Sequence, residues 1–427
     1  MRDENKLYWI WLSERFGVAS KAFPSFADKY DDPYDVYRLE TEEIEQLEGV
    51  TDALKAKLSD KSLDKAYSIL KYCKKYSIDI IGYSDKRYPA RLKTIENPPV
   101  MLYCMGKLPD MNSRLCIGMV GTRKMSEYGK QSAYKIAYEL AAANAVVVSG
   151  MALGIDGVCA GGALAAGGST VAVLGCGMSI VYPREHEKLM RAIARKGAVI
   201  TEFSPFERPL PNNFPKRNRI ISGLCQGVLV IEGAKGSGAL ITASRAVSQG
   251  RELFAMPGNI DESNSEGPNE LIRNGANVAL GASDIIEHYD FLYHNVINYR
   301  AYTRAKKSSE LDERVLDKYG ISSASTKPKA KKAVPIEEDI RIDIADEVAT
   351  TQMTQTQKYV PDNSDTVLES LDDTSKKVFG LIPDGTSFSP DAIAAHGIDV
   401  GDVITALTML EISGLVSSLP GGLYLKK

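Results

Sequence analysis

Seven short apolar runs rich in β-branched residues recur between residues 115 and 280. They are LCIGMVG (115–121), AVVVSG (145–150), TVAVLG (170–175), AVIT (198–201), GVLVIEG (227–233), ELFAMPG (252–258) and ANVAL (276–280). None alternates polar with apolar, so each predicts a strand covered on both faces. Between them lie segments with helical spacing: Tyr128–Ala143, Glu185–Lys196, Gly238–Gln249 and Asn269–Asn274. Strands that are apolar on both sides and are followed by helices fit a parallel sheet sandwiched between helical layers. The fold class predicted is therefore α/β. Many runs end in Gly or Ser, at the carboxyl ends of strands, where an open α/β sheet binds its ligand.

The flanks follow a different pattern. Residues 1–80 read as a small helical domain, with helical segments at Leu7–Phe16, Glu42–Leu58 and Ser62–Tyr76. In LEGVTDALKAKL, Gly49 separates two helical stretches, as in a helix-hairpin-helix, but Thr51 stands where the hairpin's second glycine would be. Residues 299–365 are low in large apolar side chains and read as a flexible linker. Beyond it, over 366–427, Ser389-Pro390 opens a helix ending near His396, and Asp399 caps another that runs to Ser413. LVSSLPGGLYL then predicts a hairpin turning at Pro420-Gly421-Gly422. Three helices and a hairpin make a winged helix. The core domain is bounded at 81–298.

Composition narrows the function. The chain has 427 residues and a formal net charge of −3. No stretch approaches the roughly 18 apolar residues of a membrane span, and the N-terminus does not have the pattern of a signal peptide. The six cysteines form no C-x-x-C pair, and the four histidines have no metal-ligand spacing. Free buried thiols, a cytoplasmic location, no metal and no cofactor are expected.

Against that mildly acidic background, NFPKRNRIISG (213–223) concentrates Lys216, Arg217 and Arg219, with Phe214 just ahead and no acidic residue from Pro209 to Gly223. Three further segments end strands in turns: VGTRKMSEYG (120–129), SGMALGID (149–156) and EGAKGSGALITA (232–243). In the first, Gly121 and Thr122 lead to Arg123 and a helix start whose free amides favour an anion. Ser149 and Gly150 close the second strand, and Gly236, Ser237 and Gly238 lead into a helix in the last. None matches a G-x-G-x-x-G or G-x-x-x-x-G-K-[ST] phosphate loop. All four are expected at one edge of one sheet. A basic groove with an aromatic platform suits sequence-tolerant binding of a single nucleic-acid strand.

YPARLKTIENPPVMLYCMG (88–106), GTRKMSEYG, SGMALGIDG, AVLGCG, ITEF, FPKRNRIISGL, EGAKGSGALITASRA and AMPGNI resemble the DprA/Smf family in both order and spacing. The resemblance covers roughly residues 80–290. It implies an extended Rossmann-like core between an N-terminal SAM-like helical domain and a C-terminal winged helix. It also implies a homodimer that is not an enzyme, binds single-stranded DNA without sequence preference, and helps load the RecA recombinase in natural transformation or related DNA processing. Carried onto this sequence, the DNA contacts are Gly121, Thr122, Arg123, Ser149, Gly150, Phe214, Lys216, Arg217, Asn218, Arg219, Ser237 and Gly238. One departure is Ala160, where many relatives have a histidine.

The rival reading is a nucleotide-processing hydrolase similar to the phosphoribohydrolases, which carry a catalytic Glu in PGGxGTxxE. Here Thr242 and Ala243 stand where that carboxylate is wanted, leaving Asp156, Glu202 and Glu232 as candidates. A third reading, DNA recognition through the winged helix, meets a recognition segment, DVGDVITALTMLEIS, that has no Lys or Arg and carries Asp399, Asp402 and Glu411. Such a helix repels phosphate.

Overall fold

The computed structural model describes residues 3–321, 372–383, 388–412, 415–419 and 423–426. The chain divides into two compact units, 1–335 and 336–427. The first is built on a nine-stranded sheet: β1 (Ile78–Gly82), β2 (Met101–Gly106), β3 (Cys116–Val120), β4 (Val146–Ser149), β5 (Thr170–Val173), β6 (Ala198–Thr201), β7 (Gly227–Val230), β8 (Glu252–Ala255) and β9 (Asn277–Val278). Their spatial order is β1-β2-β6-β5-β4-β3-β7-β8-β9. All seven runs expected from the sequence are strands, and they pair in parallel. From β3 the chain steps outward through β4, β5 and β6, then returns to the other side of β3 to lay down β7, β8 and β9. The loops after β3 and β7 therefore diverge, which opens a crevice at the carboxyl edge.

Two strands lie outside the pattern. β2 runs antiparallel to β6, and β1 antiparallel to β2. Neither is followed by the long helix that marks a parallel crossover, so the alternation of strand and helix does not reveal them. The central strands are closed to solvent: Val147, Val171, Val199 and Val228 are all fully buried. Two helices sink unusually deep. Ile155–Ala165 is buried from Ile155 to Leu164, and a side chain at Gly162 would overlap the Tyr134 carbonyl. The small run GVCAGGALA is thus a close-packing device. Asn213–Leu224 buries ten of its residues, its basic positions Arg217 and Arg219 included.

The N-terminal block packs onto β1, with the Trp9 ring filling the space beside Gly82. The stretch expected as Glu42–Leu58 is two helices, Thr41–Glu45 and Asp52–Ser59, separated around Gly49 at φ +71°. Two short helices, Phe23–Lys29 and Pro33–Tyr37, are additional. The first part of the stretch expected as linker from 299 is helical. Tyr299–Ala305 and Glu313–Tyr319 are helices, and Tyr302, Ala305, Leu316 and Ile321 are buried. Ser309 also donates to Glu139 at 2.7 Å. These few anchors are diluted among charged residues, which is why composition alone misplaces the boundary. The rest of that stretch lies outside the described residues.

The second unit carries helices Asp373–Leu381, Pro390–Ala394 and Val400–Ile412, then the antiparallel pair β10 (Val416–Leu419) and β11 (Leu423–Lys426). Val378, Ile393, Val403, Leu407, Leu410, Val416 and Tyr424 form its core. Phe388 bridges to Tyr424, adding a third short strand segment. This is a winged helix. Its hairpin turn at 420–422 lies outside the described residues.

At the end of β2, Gly106 adopts φ +93°, and a Cβ there would overlap the Ala194 carbonyl. Gly106→Ala should destabilise the first unit by about 3 kcal/mol, combining backbone strain with a backbone clash. Urea denaturation measures this. A loss below about 0.5 kcal/mol, the range of neutral surface changes, would contradict it.

Candidate nucleic-acid interface

The loops that leave β3, β4 and β7 are joined by backbone hydrogen bonds. Thr122 N–H donates to the Glu232 carbonyl at 2.8 Å, and Ile155 N–H donates to the Thr122 carbonyl at 3.2 Å. Ile155 packs so close to Gly121 that a side chain at 121 would meet it at 2.7 Å. Gly154, at φ +77°, lets the chain pass directly against Thr122 and Arg123. From this platform Arg123 and Lys124 reach solvent. Arg123 lies over the Phe214 ring, its guanidinium carbon 5.7 Å from the ring centroid. Arg123 and Phe214 are far apart in sequence, and the parallel sheet brings them into contact.

The helix that follows, Glu127–Ala142, does not offer its amino end to an external anion, contrary to the sequence-based expectation. Glu232 fills that position. Its carboxylate accepts from Ser126 N–H at 3.0 Å and from the Ser126 hydroxyl, while the Ser126 Oγ accepts from Gly129 N–H at 3.0 Å. Glu232 is 3% exposed, and a side chain at Gly129 would overlap its carboxyl. The dipole of this helix start is neutralised from within.

The basic cluster also divides. Lys216 is exposed. Arg217 is 4% exposed. It donates to the Gly150 carbonyl at 2.7 Å, to the Val173 carbonyl, and to Asn218 Oδ1 at 3.1 Å. It thus pins the ends of β4 and β5 to the 213–224 helix, and a side chain at Gly150 would overlap its guanidinium. Burial pulls Arg217 down to about 10, opposed by the charge of Asp156; it stays protonated at neutral pH. Arg219 is equally buried and pairs with Glu202, itself buried. Desolvation pushes the Glu202 carboxyl up, and Arg219 pulls it back. Arg217 and Arg219 are therefore internal struts rather than surface cations, a correction to the expected groove of three positive charges. An arginine that finds enough carbonyl and carboxylate partners can be buried, and a local charge count does not show where those partners are.

Phe214 is 9% exposed. Its ring packs against Gly175, lies 5.4 Å from the Tyr182 ring, and has Arg217 5.8 Å from its centroid as well as Arg123. It backs the Arg123 guanidinium and is not an open platform. Ser149 is buried and donates to the Met119 carbonyl at 2.9 Å. Asn218 Nδ2 donates to the Gly238 carbonyl at 3.4 Å, tying the basic helix to the loop after β7. In that loop Lys235 and Gly238 are exposed and Gly236 takes φ +80°. The helix Gly238–Ser248 has no side-chain cap, so its amino end is available.

The other proposed acids hold structure too. Asp156 accepts from Gly150 N–H at 3.0 Å and Ala152 N–H at 3.4 Å, and burial pushes its carboxyl up against the pull of Arg217. Thr242 and Ala243 are buried within a helix. Ala160 is 2% exposed; the imidazole that packs near this helix start is His186, which lies over Gly157. Among the described residues no group of three His, Cys, Asp or Glu could hold a metal ion, and no helix is long and apolar enough to cross a membrane. All six cysteines are buried free thiols. Lys124 and Lys235 join Arg123 and Lys216 as exposed cations of this edge. Both stand within the glycine-rich segments, where the turn residues draw attention first.

Arg217→Ala should cost about 3–5 kcal/mol, because it orphans the buried Gly150 and Val173 carbonyls and Asp156. Lys216→Ala, at an exposed site, should stay within about 0.5 kcal/mol. Equal denaturation midpoints for the two variants would contradict this division.

Comparison with known proteins fits the fold. The DNA recombination-mediator protein A family matches residues 79–290, and the DprA winged helix domain matches 363–422. DNA processing protein DprA of Bacillus subtilis is 38% identical over 246 residues, which are 56% of this chain and 83% of that protein. Protein Smf of Synechocystis is 28% identical across the whole of both chains. The X-ray structure of DNA processing protein A from Streptococcus pneumoniae superposes with a TM-score of 0.58 at 32% identity, covering 66% of this chain and 97% of that one. The chain belongs to the DNA recombination-mediator protein A (DprA/Smf) family of DNA-processing proteins.

Proposed function

We propose that this chain binds single-stranded DNA without sequence preference along the carboxyl edge of its sheet, and as a homodimer helps load the RecA recombinase onto the strand. The observation that carries the binding site is the exposed Arg123 lying on Phe214 at the point where the strand order diverges. A base stacks on the guanidinium plane, which the ring supports from behind, and stacking tolerates any base. Lys124, Lys216 and Lys235 attract the phosphates, and the uncapped start of the Gly238–Ser248 helix offers amides to one of them. Gly121, Thr122, Gly150 and Asn218 shape the edge. Ser149, Arg217 and Arg219 act from beneath it. RecA loading and dimerisation rest on family membership.

The hydrolase reading gains no support from the geometry. Asp156, Glu202 and Glu232 are each engaged in holding backbone amides, a buried arginine or a helix cap. The winged helix presents Asp402 and Glu411 on its longest helix, which suits a protein contact or a structural role better than a phosphate backbone.

Arg123→Ala should weaken oligothymidine binding by about 1–3 kcal/mol, the loss of one charge-assisted contact, with unchanged circular dichroism. Lys216→Ala should lower the slope of log affinity against log salt by about one ion. If both variants bind as the wild type does across a salt series, the site is elsewhere. Removing residues 366–427 should leave the affinity of the remaining chain for oligothymidine largely intact; a large loss with the core still folded would assign DNA contacts to the winged helix.

A further inference from the structure

A second basic and aromatic stretch lies in the N-terminal block. From Lys65 to Ile78 the sequence has no acidic residue and carries four lysines and three tyrosines. The same is true of acid on the other side: none occurs from Arg208 to Ile231. The structure joins the two stretches. The loop after β5 is the connecting piece. At Gly175 a side chain would meet the Phe214 ring at 2.8 Å. Two residues on, Gly177 N–H donates to the Glu207 carbonyl, and Ser179 N–H donates to the Pro205 carbonyl, both at 2.9 Å. The turn carrying Phe206 is thus held one short loop away from Phe214. Phe206 then meets Tyr72 edge-on at 4.9 Å, and Tyr72 lies 4.5 Å from Tyr76. Lys75 sits over the Tyr76 ring at 5.3 Å. Lys65 is paired with Glu14, and Lys71 is exposed.

We infer that the single strand continues past Arg123, across the loop after β5, and onto this N-terminal face. Phe206 takes a further base there, and Lys71 takes a further phosphate. The inference rests on the proposed binding at the Arg123 edge and extends it. Phe206 is 54% exposed, unlike the tethering aromatics Phe16, Phe23 and Phe26 of the same block, which are buried. A ring needed only to hold two elements together would be covered as they are. An exposed aromatic ring beside lysines suits an unpaired base on a flexible backbone; a duplex keeps its base faces closed. Glu207, which follows Phe206 in the sequence, is half-buried.

Oligothymidines of two lengths separate this path from the Arg123 site. A strand of about 6 nucleotides covers the Arg123 edge, and one of about 20 reaches beyond it, within the range of site sizes of single-strand binders. Phe206→Ala should weaken the longer strand about five-fold or more, on the scale of one lost stacking contact, and leave the shorter one unchanged. Phe206→Trp should restore the loss. Lys71→Glu, on an exposed helix face, should weaken the longer strand selectively and reduce its salt slope. Equal loss for both lengths would show Phe206 acting through the fold and would overturn the inference. So would wild-type binding of the longer strand by both variants, or an equal loss for a duplex of the same length. If the wild-type protein binds neither strand, it is the Arg123 site that fails.

Discussion

The carboxyl edge depends on one buried guanidinium. Arg217 holds the carbonyls that end β4 and β5 and faces Asp156, which in turn gathers the amides of Gly150 and Ala152. Through these bonds the helix carrying Phe214 and Lys216 is fixed against two strand ends at once. Arg123, arriving from β3, finds the Phe214 ring already in place. A charge in the protein interior is costly unless it is fully partnered. Here three acceptors and an opposing carboxylate meet that requirement, and positional rigidity is the result.

The same logic recurs around the edge. Glu232 occupies the amino end of the helix after β3, so that helix is capped by the protein itself. Glu202 neutralises Arg219 beneath the surface. Charge is thus sorted by depth: paired charges lie underneath, and Arg123, Lys124, Lys216 and Lys235 remain at the surface. In the proposed binding mode, a phosphate backbone meets these exposed cations first. Phe214 follows the same division, supporting Arg123 from below.

Much of this was legible in the sequence. The seven parallel strands announced themselves as apolar runs, many ending in Gly or Ser, and the turns at 121 and 150 were placed at strand ends, but the close packing that requires Gly121, Gly150 and Gly154 became visible only in the structure. The winged helix was readable from its caps and hairpin. Other features were not. β1 and β2 lack a crossover helix, so they break the alternation that reveals the rest. The helices after residue 299 are anchored by a handful of apolar side chains in a charged segment. Burial of Arg217 and Arg219 could not be read from FPKRNRIISG, because their partners, the Gly150 and Val173 carbonyls and Glu202, come from other strand ends. For the same reason Glu232 looked like a possible catalytic acid until Ser126 was placed against it. A linear pattern reports which residues are charged, and the topology decides which of them meet solvent.

Amide hydrogen exchange with and without oligothymidine tests the central claim most directly. The account predicts protection at 121–126 and 234–238, in the loops beside Arg123 and Lys235, with little change in the buried strands. Protection confined to the winged helix, or absent from both loops while the oligonucleotide is bound, would contradict it.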